Sequence, residues 1–249
     1  MAIYVTSDLH GQYNTFIKGL ESIAFSSSDY LYVIGDAIDR GYNGIKILMH
    51  VMEHSNMDLV VGNHEFLMLN SIKSDGRAVC NGKDSELWLE FNGGKTTFDQ
   101  YKELDWCTRR KLLKWLKNRY VIKTIEVNSR AFCLSHSYYY PKYENSKIKD
   151  LEYKTIKDIV WPSMFYNDSL IYAPENIYSK YKYTFITGHI PVQLLMDNVF
   201  FEPYIDGNFI DIDGGCAFTC DEEVKNGAIF LRLDDMQAFP IALEEDDYE

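Results

Sequence analysis

The sequence predicts an α/β protein whose functional groups lie along one edge of a sheet, and three observations carry that expectation. Short apolar or β-branched runs at Ile3–Thr6, Leu31–Ile34 and Met57–Val61 have the length and composition of buried strands. Each run leads through a polar, glycine-containing turn into a stretch with apolar residues at helical spacing, the repeating unit of an α/β sheet. The turns carry Asp, His, Asn and Arg side chains, and the carboxyl edge of such strands is where open α/β sheets place their ligands.

In chain order, the first strand ends in Ser7-Asp8-Leu9-His10-Gly11, and a helix follows over Gln12 to Ile23 with Phe16, Leu20 and Ile23 inward. The second strand opens Leu31 to Gly41, LYVIGDAIDRG, around which the chain is organised. It delivers Asp36, Asp39 and Arg40 at its end, where Asp36 suits a metal ion and Arg40 an anion beside it. A helix from Gly44 to His54 places Ile45, Leu48, Met49 and Met52 inward. The third strand ends Gly62-Asn63-His64-Glu65, and Phe66 to Ile72 continues as helix. From Ser74 to about Tyr120 the pattern turns helical, with amphipathic pieces at Leu87–Phe91 and Arg109–Leu116. Strands return at Tyr120–Val127 and Ala131–Leu134, the latter leading into Ser135-His136-Ser137. A second excursion, rich in Tyr and Lys, runs from about 138 to 181. Tyr183–Ile186 then delivers Thr187-Gly188-His189, Phe209–Ile212 delivers Asp213-Gly214-Gly215, and Ala228–Leu233 reads as the last strand. No internal repeat or Gly/Ser linker divides residues 1–249, so one domain is expected.

The net charge of −12 excludes long nucleic acids as natural partners, because phosphate backbones need clustered Lys and Arg. No apolar run reaches the length of a membrane span, and the opening MAIYVTSDLHG lacks the regions of a signal peptide, so the expected location is cytoplasmic. Part of the surplus acid is the tail, Leu243 to Glu249, expected to be solvated. Cys80, Cys107, Cys133, Cys216 and Cys220 are odd in number and without CxxC spacing; they read as reduced thiols rather than a disulfide or zinc framework.

Asp8, His10, Asp36, Asn63, His64, His136 and His189 collect at the predicted strand ends, four of the chain's six histidines among them. Carboxylate, imidazole and carboxamide together suit two divalent ions such as Mn²⁺, Fe²⁺ or Zn²⁺. A carboxylate shared between two ions about 3.5–4 Å apart is the usual geometry for phosphoester hydrolysis.

Asp8-x-His10-Gly11, Gly35-Asp36-x-x-Asp39-Arg40-Gly41, Gly62-Asn63-His64-Glu65 and Gly188-His189 occur in that order. As a set they resemble the calcineurin-like metallophosphoesterases. The Asp-Arg-Gly form resembles the phosphoprotein phosphatase branch. Trp88-Leu89-Glu90-Phe91-Asn92-Gly93-Gly94-Lys95-Thr96-Thr97 and Phe209-Ile210-Asp211-Ile212-Asp213-Gly214-Gly215 resemble segments of its small bacterial and phage serine/threonine phosphatases.

The resemblance runs from Ile3 to about Leu233 and implies a two-sheet β-sandwich flanked by helices (αββα), with a dinuclear metal site at its loop edge. It implies one ion on Asp8, His10 and Asp36, with His189 an open further donor, and a second on Asp36, Asn63, His136 and His189. It further implies in-line attack by metal-bound hydroxide, His64 as general acid, Asp39 holding His64 protonated, and Arg40 and Asn63 binding the phosphate. The implied partner is a phosphorylated protein or small phosphoester; Mn²⁺ is the expected ion, with Fe or Zn as alternatives. The alternatives kept open are a nucleotide hydrolase, such as a symmetric diadenosine tetraphosphatase, and a metal-binding regulatory module.

Two departures from the family pattern stand out. The stretch Ile159-Val160-Trp161-Pro162-Ser163-Met164 has no second phosphate-binding arginine near its tryptophan, which leaves Arg77 as a candidate replacement. His136 is followed by Ser137-Tyr138 rather than a small residue and glycine.

Competing readings are weaker. His50-Val51-Met52-Glu53-His54 has the spacing of inverted zinc peptidases, but histidines at a helix end also suit the helix dipole. Gly94-Lys95-Thr96 lacks the upstream glycine of a phosphate loop, Leu89 standing there. Trp88, Trp106 and Trp115 read as packing, and Tyr138-Tyr139-Tyr140 either lines the cleft or packs.

Overall fold

Two five-stranded mixed sheets lie face to face, with helices covering their outer sides. The computed structural model describes residues 1–163, 181–196, 200–218 and 225–244. The first sheet has the order β10-β9-β1-β2-β3, formed by β1 (Ile3–Thr6), β2 (Tyr30–Ile34), β3 (Met57–Val60), β9 (Gly227–Arg232) and β10 (Gln237–Ala242). The second has the order β4-β5-β6-β8-β7, formed by β4 (Ile122–Val127), β5 (Arg130–Ser135), β6 (Thr184–Thr187), β7 (Tyr204–Asp206) and β8 (Phe209–Asp211).

Each sheet contains a trio of parallel strands, at one side of the first sheet and in the middle of the second. In the first, Ile3 pairs with Tyr30 and Leu31 with Met57; in the second, Phe132 pairs with Thr184 and Phe185 with Phe209. The remaining strands, β9, β10, β4 and β7, join antiparallel. Val5, Ile34, Val60, Phe132, Leu134, Ile186, Ile210 and Leu231 fill the layer between the sheets. The strands of the trios are therefore apolar on both faces, as parallel strands must be. Their polar groups are confined to their ends, and all six carboxyl ends meet at one edge.

Helices α1 (Tyr13–Ser22), α2 (Gly44–Glu53), α3 (Asn63–Ser71), α4 (Gly94–Glu103) and α5 (Trp106–Lys117) stand where the sequence has helical spacing, and α6 (Tyr153–Val160) stands in the second excursion, where no helix was expected. Helix α5 is started by Asp105, whose carboxylate accepts the N–H groups of Cys107 and Thr108, the usual N-cap arrangement. Leu87–Phe91 forms one turn of π-helix rather than an α-helix.

Three expectations need correction. Ala228–Leu233 is not the last strand: β10 follows it and carries Pro240 at the centre of its run. An edge strand tolerates proline because its outer N–H groups need no partner. The short hairpin strand β7 was also not anticipated, and it ends at Gly207-Asn208. The tail is not wholly solvated: Glu244 receives no helix of its own but docks on α1, its N–H donating to Thr15 and its carboxylate pairing with Lys18. Residues 164–180 of the second excursion, Cys220 and residues 245–249 of the tail lie outside the described residues. The described cysteines are unbridged, and no helix among the described residues is long and apolar enough to cross a membrane.

Candidate metal centre

The residues singled out at the strand ends converge on one cleft of about 210 Å³, lined by His10, Asp36, Arg40, Asn63, His64 and His189, with Pro191, Leu194, Ala217 and Phe218 opposite. Asp8 and His136 lie beneath it, fully buried. Asp36 is at the centre. Its Oδ2 is 3.3 Å from His136 Nε2, 3.7 Å from His64 Nε2 and 3.9 Å from His10 Nε2. Two close donor groupings result, His10–Asp36–His64 and Asp36–His136–His189. Asp8 belongs to neither grouping; its Oδ2 accepts the backbone N–H of His189 at 3.0 Å.

The ring orientations follow from what each outer nitrogen bonds. His10 and His136 donate Nδ1–H to the carbonyls of Ile38 and Ile34, at 3.0 and 3.1 Å. His189 donates Nε2–H to the Trp161 carbonyl at 3.0 Å, and His64 donates Nδ1–H to Asp39 Oδ2 at 2.7 Å. These tautomers are assigned from the network. His10, His136 and His189 thus each turn the second nitrogen inward as a lone pair, the outer-sphere device that orients metal-binding histidines, while His64 presents its Nε2 to the cleft beside Arg40.

The inward atoms then have no hydrogen between them. His136 Nε2 faces His189 Nδ1 at 3.1 Å, Asn63 Oδ1 at 2.9 Å and Asp36 Oδ2 at 3.3 Å. Lone pairs this close repel unless a cation or proton sits among them. The charge count points the same way: Asp8, Asp36, Asp39, Glu65, Asp211 and Asp213 are all buried at this edge, against the single guanidinium of Arg40. In the chain alone that demand falls on protons. Burial by itself lowers the His136 imidazole, yet Asp36 and Asp8 outweigh it and raise its pKa to about 10. Burial pushes the Asp8 carboxyl up to about 7. Burial and then His136 drive His189 down to about 3. A buried set of carboxylate, imidazole and carboxamide donors with this deficit fits divalent cations well.

The backbone is strained at the same place. Asp8, His10, Asp36, Asp39, Arg40 and His189 all have positive φ, between 43° and 79°. Non-glycine residues reach that region at a cost of about 1–3 kcal/mol each, so packing must over-determine them. Glu65 supplies much of the restraint. Its buried carboxylate accepts the N–H groups of Asp36 (3.0 Å), Ala37 (2.8 Å) and Gly62 (3.0 Å), tying the end of β2 to the start of α3. This corrects the expected helix start: Asn63 is already inside α3 and its side chain makes no cap bond. Its amide oxygen instead faces His136.

Asp39 and Arg40 are braced by the first excursion. Asp39 Oδ2 accepts the Trp88 indole N–H at 2.7 Å, on the same oxygen that holds His64. Its backbone N–H donates to Thr97 Oγ1 at 2.9 Å. Arg40 N–H donates to the Gly93 carbonyl at 3.2 Å. Gly93 has φ 74°, and a Cβ there would press on Arg40 N at 3.0 Å, while one on Gly94 would meet Trp88 Nε1 at 2.5 Å. The Asn-Gly-Gly turn is therefore required by close approach. Arg40 extends over the cleft, Nη1 3.2 Å from His10 Nε2 and Nη2 3.4 Å from His64 Nε2.

Burial alone would lower the His64 imidazole, but the Asp36 and Asp39 carboxylates outweigh it and hold its pKa above the ordinary value.

Trp88, Glu65 and Asp213, which lines the cleft, are the site residues that sequence reasoning left without a role. The signal for Trp88 and Asp213 was their place in the two segments matched by resemblance; for Glu65 it was its place in Gly62-Asn63-His64-Glu65. Arg77 does not enter the cleft: it is exposed and paired with Asp75 at 2.7 Å. The Trp161 stretch contributes a backbone carbonyl instead of a cation. Tyr139 is core, and Tyr140 lines a separate groove with Pro141 and Tyr143. His50 bonds Tyr13 and stacks on His54, and among the described residues neither joins a donor grouping.

Comparison with known proteins gives the same picture. The calcineurin-like phosphoesterase family profile matches residues 1–211. A serine/threonine-protein phosphatase 2 of Salmonella typhimurium is 30% identical over 138 residues, 55% of this chain and 58% of that protein. A symmetrical bis(5'-nucleosyl)-tetraphosphatase of Buchnera aphidicola (subsp. Schizaphis graminum) is 28% identical over 146 residues, 58% of this chain and 47% of that protein. The chain thus spans about half the length of these relatives. Among solved structures, a metallophosphoesterase from Sphaerobacter thermophilus superposes with a TM-score of 0.58 at 15% identity, covering 100% of this chain and 91% of that one. A protein serine/threonine phosphatase from Saccharomyces cerevisiae superposes at 0.53 and 15% identity, covering 99% and 82%. At that identity the superpositions speak for the fold.

Proposed function

The chain belongs to the calcineurin-like phosphoesterase family, and we propose that it hydrolyses phosphomonoesters of the phosphoserine or phosphothreonine kind in the strand-end cleft. The observation that carries this reading is the buried Asp39–His64 pair at 2.7 Å, opening on the cleft beside Arg40. Two divalent ions, Mn²⁺ or else Fe or Zn, would be held by Asp8, His10 and Asp36 and by Asp36, Asn63, His136 and His189. When bound, such ions polarise phosphoryl oxygens and make a water nucleophilic near neutral pH.

The chain's own residues do the rest. Arg40, projecting over the cleft from a fixed turn, offers a guanidinium fork to two phosphoryl oxygens; Asn63 adds an amide contact. His64, held protonated by its carboxylates, gives its Nε2 proton to the leaving alkoxide as the P–O bond breaks. Asp39 fixes the ring, and Trp88 fixes Asp39. Among the described residues lining the cleft there is no serine, threonine or cysteine, which supports direct attack by water over a phosphoenzyme on such a nucleophile.

The cleft also bears on substrate size and charge. Arg40 is the one lysine or arginine among the described residues lining it, and Pro191, Leu194 and Phe218 form an apolar wall. One cation and an apolar wall suit a monoester on a carbon-rich group better than a tetraphosphate chain. The relatives named for tetraphosphate hydrolysis support the alternative of a dinucleotide substrate. Hydrolysis of p-nitrophenyl phosphate, a phosphothreonine peptide and diadenosine tetraphosphate by Mn²⁺-loaded protein separates the two. The expected result is peptide turnover well above dinucleotide turnover; the reverse order overturns the monoester reading.

A further inference from the structure

The chain carries a net charge of −12, yet its outer surface at α5 is strongly basic. A groove of about 550 Å³ is lined by Arg110, Lys111, Lys114 and Lys117 along one face of α5, with Lys149 on the facing wall and Leu113 in its floor. Five of the chain's 25 lysines and arginines thus share one groove. None of the five has a carboxylate within ion-pair distance among the described residues. Of the nearby acids, Asp105 caps the first turn of α5 and reaches Lys111 only through space, and Asp75 pairs with Arg77.

The groove is also built rather than incidental. Arg110 lies against Gly76, which leaves room for its stem, and its guanidinium stacks over the Trp106 ring at 4.6 Å. The Trp106 indole donates to the Asp75 carbonyl at 3.1 Å, which fixes the platform. A braced guanidinium loses less side-chain freedom on binding than a loose one. The groove shares no residue with the strand-end cleft.

We propose that this groove docks a short acidic segment of a partner polypeptide. The spacing of the cations selects the ligand. From Arg110 to Lys117 they are strung along about 10 Å of helix at 1.5 Å per residue, so they match carboxylates spread along a chain rather than one compact phosphate. Leu113 and the aliphatic lysine stems provide apolar floor for side chains between those carboxylates. A long nucleic acid would leave the groove and meet the acidic remainder of the surface, where repulsion outweighs the local attraction. A short peptide would not.

The test is fluorescence anisotropy of a short fluorescein-labelled peptide of Glu-Asp-Leu repeats titrated with the full chain. Binding should weaken as NaCl is raised. The Lys114→Glu/Lys117→Glu variant should bind at least about tenfold more weakly, with Lys114→Gln/Lys117→Gln intermediate. Circular dichroism spectra and thermal unfolding midpoints, unchanged in both variants, show that the fold is intact. Absence of binding by the natural chain, or equal binding by the charge-reversed variant, overturns the proposal. So does displacement of the peptide by oligothymidylate at lower concentration than by unlabelled peptide, which would assign the groove to nucleic acid. The readout needs no turnover and is independent of the hydrolase reading.

Discussion

The parallel trios of the two sheets end on the same cleft but equip it differently. The ends of β1, β2 and β3 supply Asp8, His10, Asp36, Asp39, Arg40, Asn63 and His64, seven groups within three short turns. Five of the six left-handed residues at the site are among them. The ends of β5, β6 and β8 supply His136, His189 and Asp213, one group each, with a single left-handed residue. The first half stores strain and restrains it with Glu65, Thr97 and the Gly93 carbonyl. The second adds the inward nitrogens of His136, on ordinary backbone, and of His189, its one left-handed residue, together with the apolar wall of the cleft. Under the proposed function, the strained, cross-braced half would hold the groups that must keep one orientation through the reaction, while the second half would complete a cation's surroundings and shape the substrate's berth.

Asp36 is where the halves meet, and its variant should show the largest effect. Asp36→Asn removes the charge facing three histidines and should lose both ions, with turnover down about 10³-fold, as expected when several kcal/mol of charge stabilisation vanish. His136→Asn, in the second half alone, should retain one ion per chain. Metal analysis of the purified variants decides: two retained ions in Asp36→Asn would remove Asp36 from the centre, and loss of both in His136→Asn would erase the division between the halves.

His64→Asn comes next. It removes the proton donor without touching the second-half histidines, so metal content should stay at the natural level. Turnover of alkyl phosphates should fall about 10²-fold. p-Nitrophenyl phosphate, whose leaving group needs little help from an acid, should suffer less. Equal losses on both substrates would strip His64 of the acid role.

The bracing of the first half is tested by pH. His64 is held above its ordinary value; as the proposed acid it would act protonated, so activity should be full below its pKa and decline as pH rises through it. Asp39→Asn removes a negative charge, so the alkaline limb should move to lower pH, with an activity loss of about 10- to 100-fold, typical of an outer-sphere partner. Trp88→Phe removes a donor from Asp39 Oδ2 and leaves more charge for His64. Its limb should move to higher pH, with turnover down about tenfold, the worth of a hydrogen bond to a charged group. Shifts in the same direction would mean that Trp88 acts on His64 only through packing.

How much of this was legible depended on distance along the chain. The strand ends of the first half could be read because each motif is continuous and sits directly behind an apolar run, so Asp8, Asp36 and Asn63 announce themselves locally. The hydrogen bonds that hold them could not. Trp88 reaches Asp39 from 49 residues away and Glu65 reaches Asp36 from 29, and no pattern in the sequence fixes which buried polar groups will face each other. The fold followed the same rule: α1, α2, α5 and the inner strands were clear from periodicity, while α6, inside the Tyr- and Lys-rich excursion, was not read as a helix, and β10, with Pro240 in its run, and the three-residue β7 depend on pairing partners far along the chain.

The smallest expected effect lies in the second half, at the cleft's apolar wall. Leu194 is 55% exposed beside the cleft, an unusual place for leucine unless a ligand covers it. It shares the cleft with His64 and Asp36 but is purely apolar and brings no charge or hydrogen bond to them. Leu194→Ala should therefore leave metal content and the pH profile unchanged and raise KM for p-nitrophenyl phosphate about threefold, the cost of losing a partly buried isobutyl contact. The value of kcat should hold, because the contact exists equally in the bound and the reacting state. A fall in kcat at constant KM would mean that the wall helps to position the ester for reaction, and the division of labour between the two sheets would then have to be redrawn with the second half inside the chemistry.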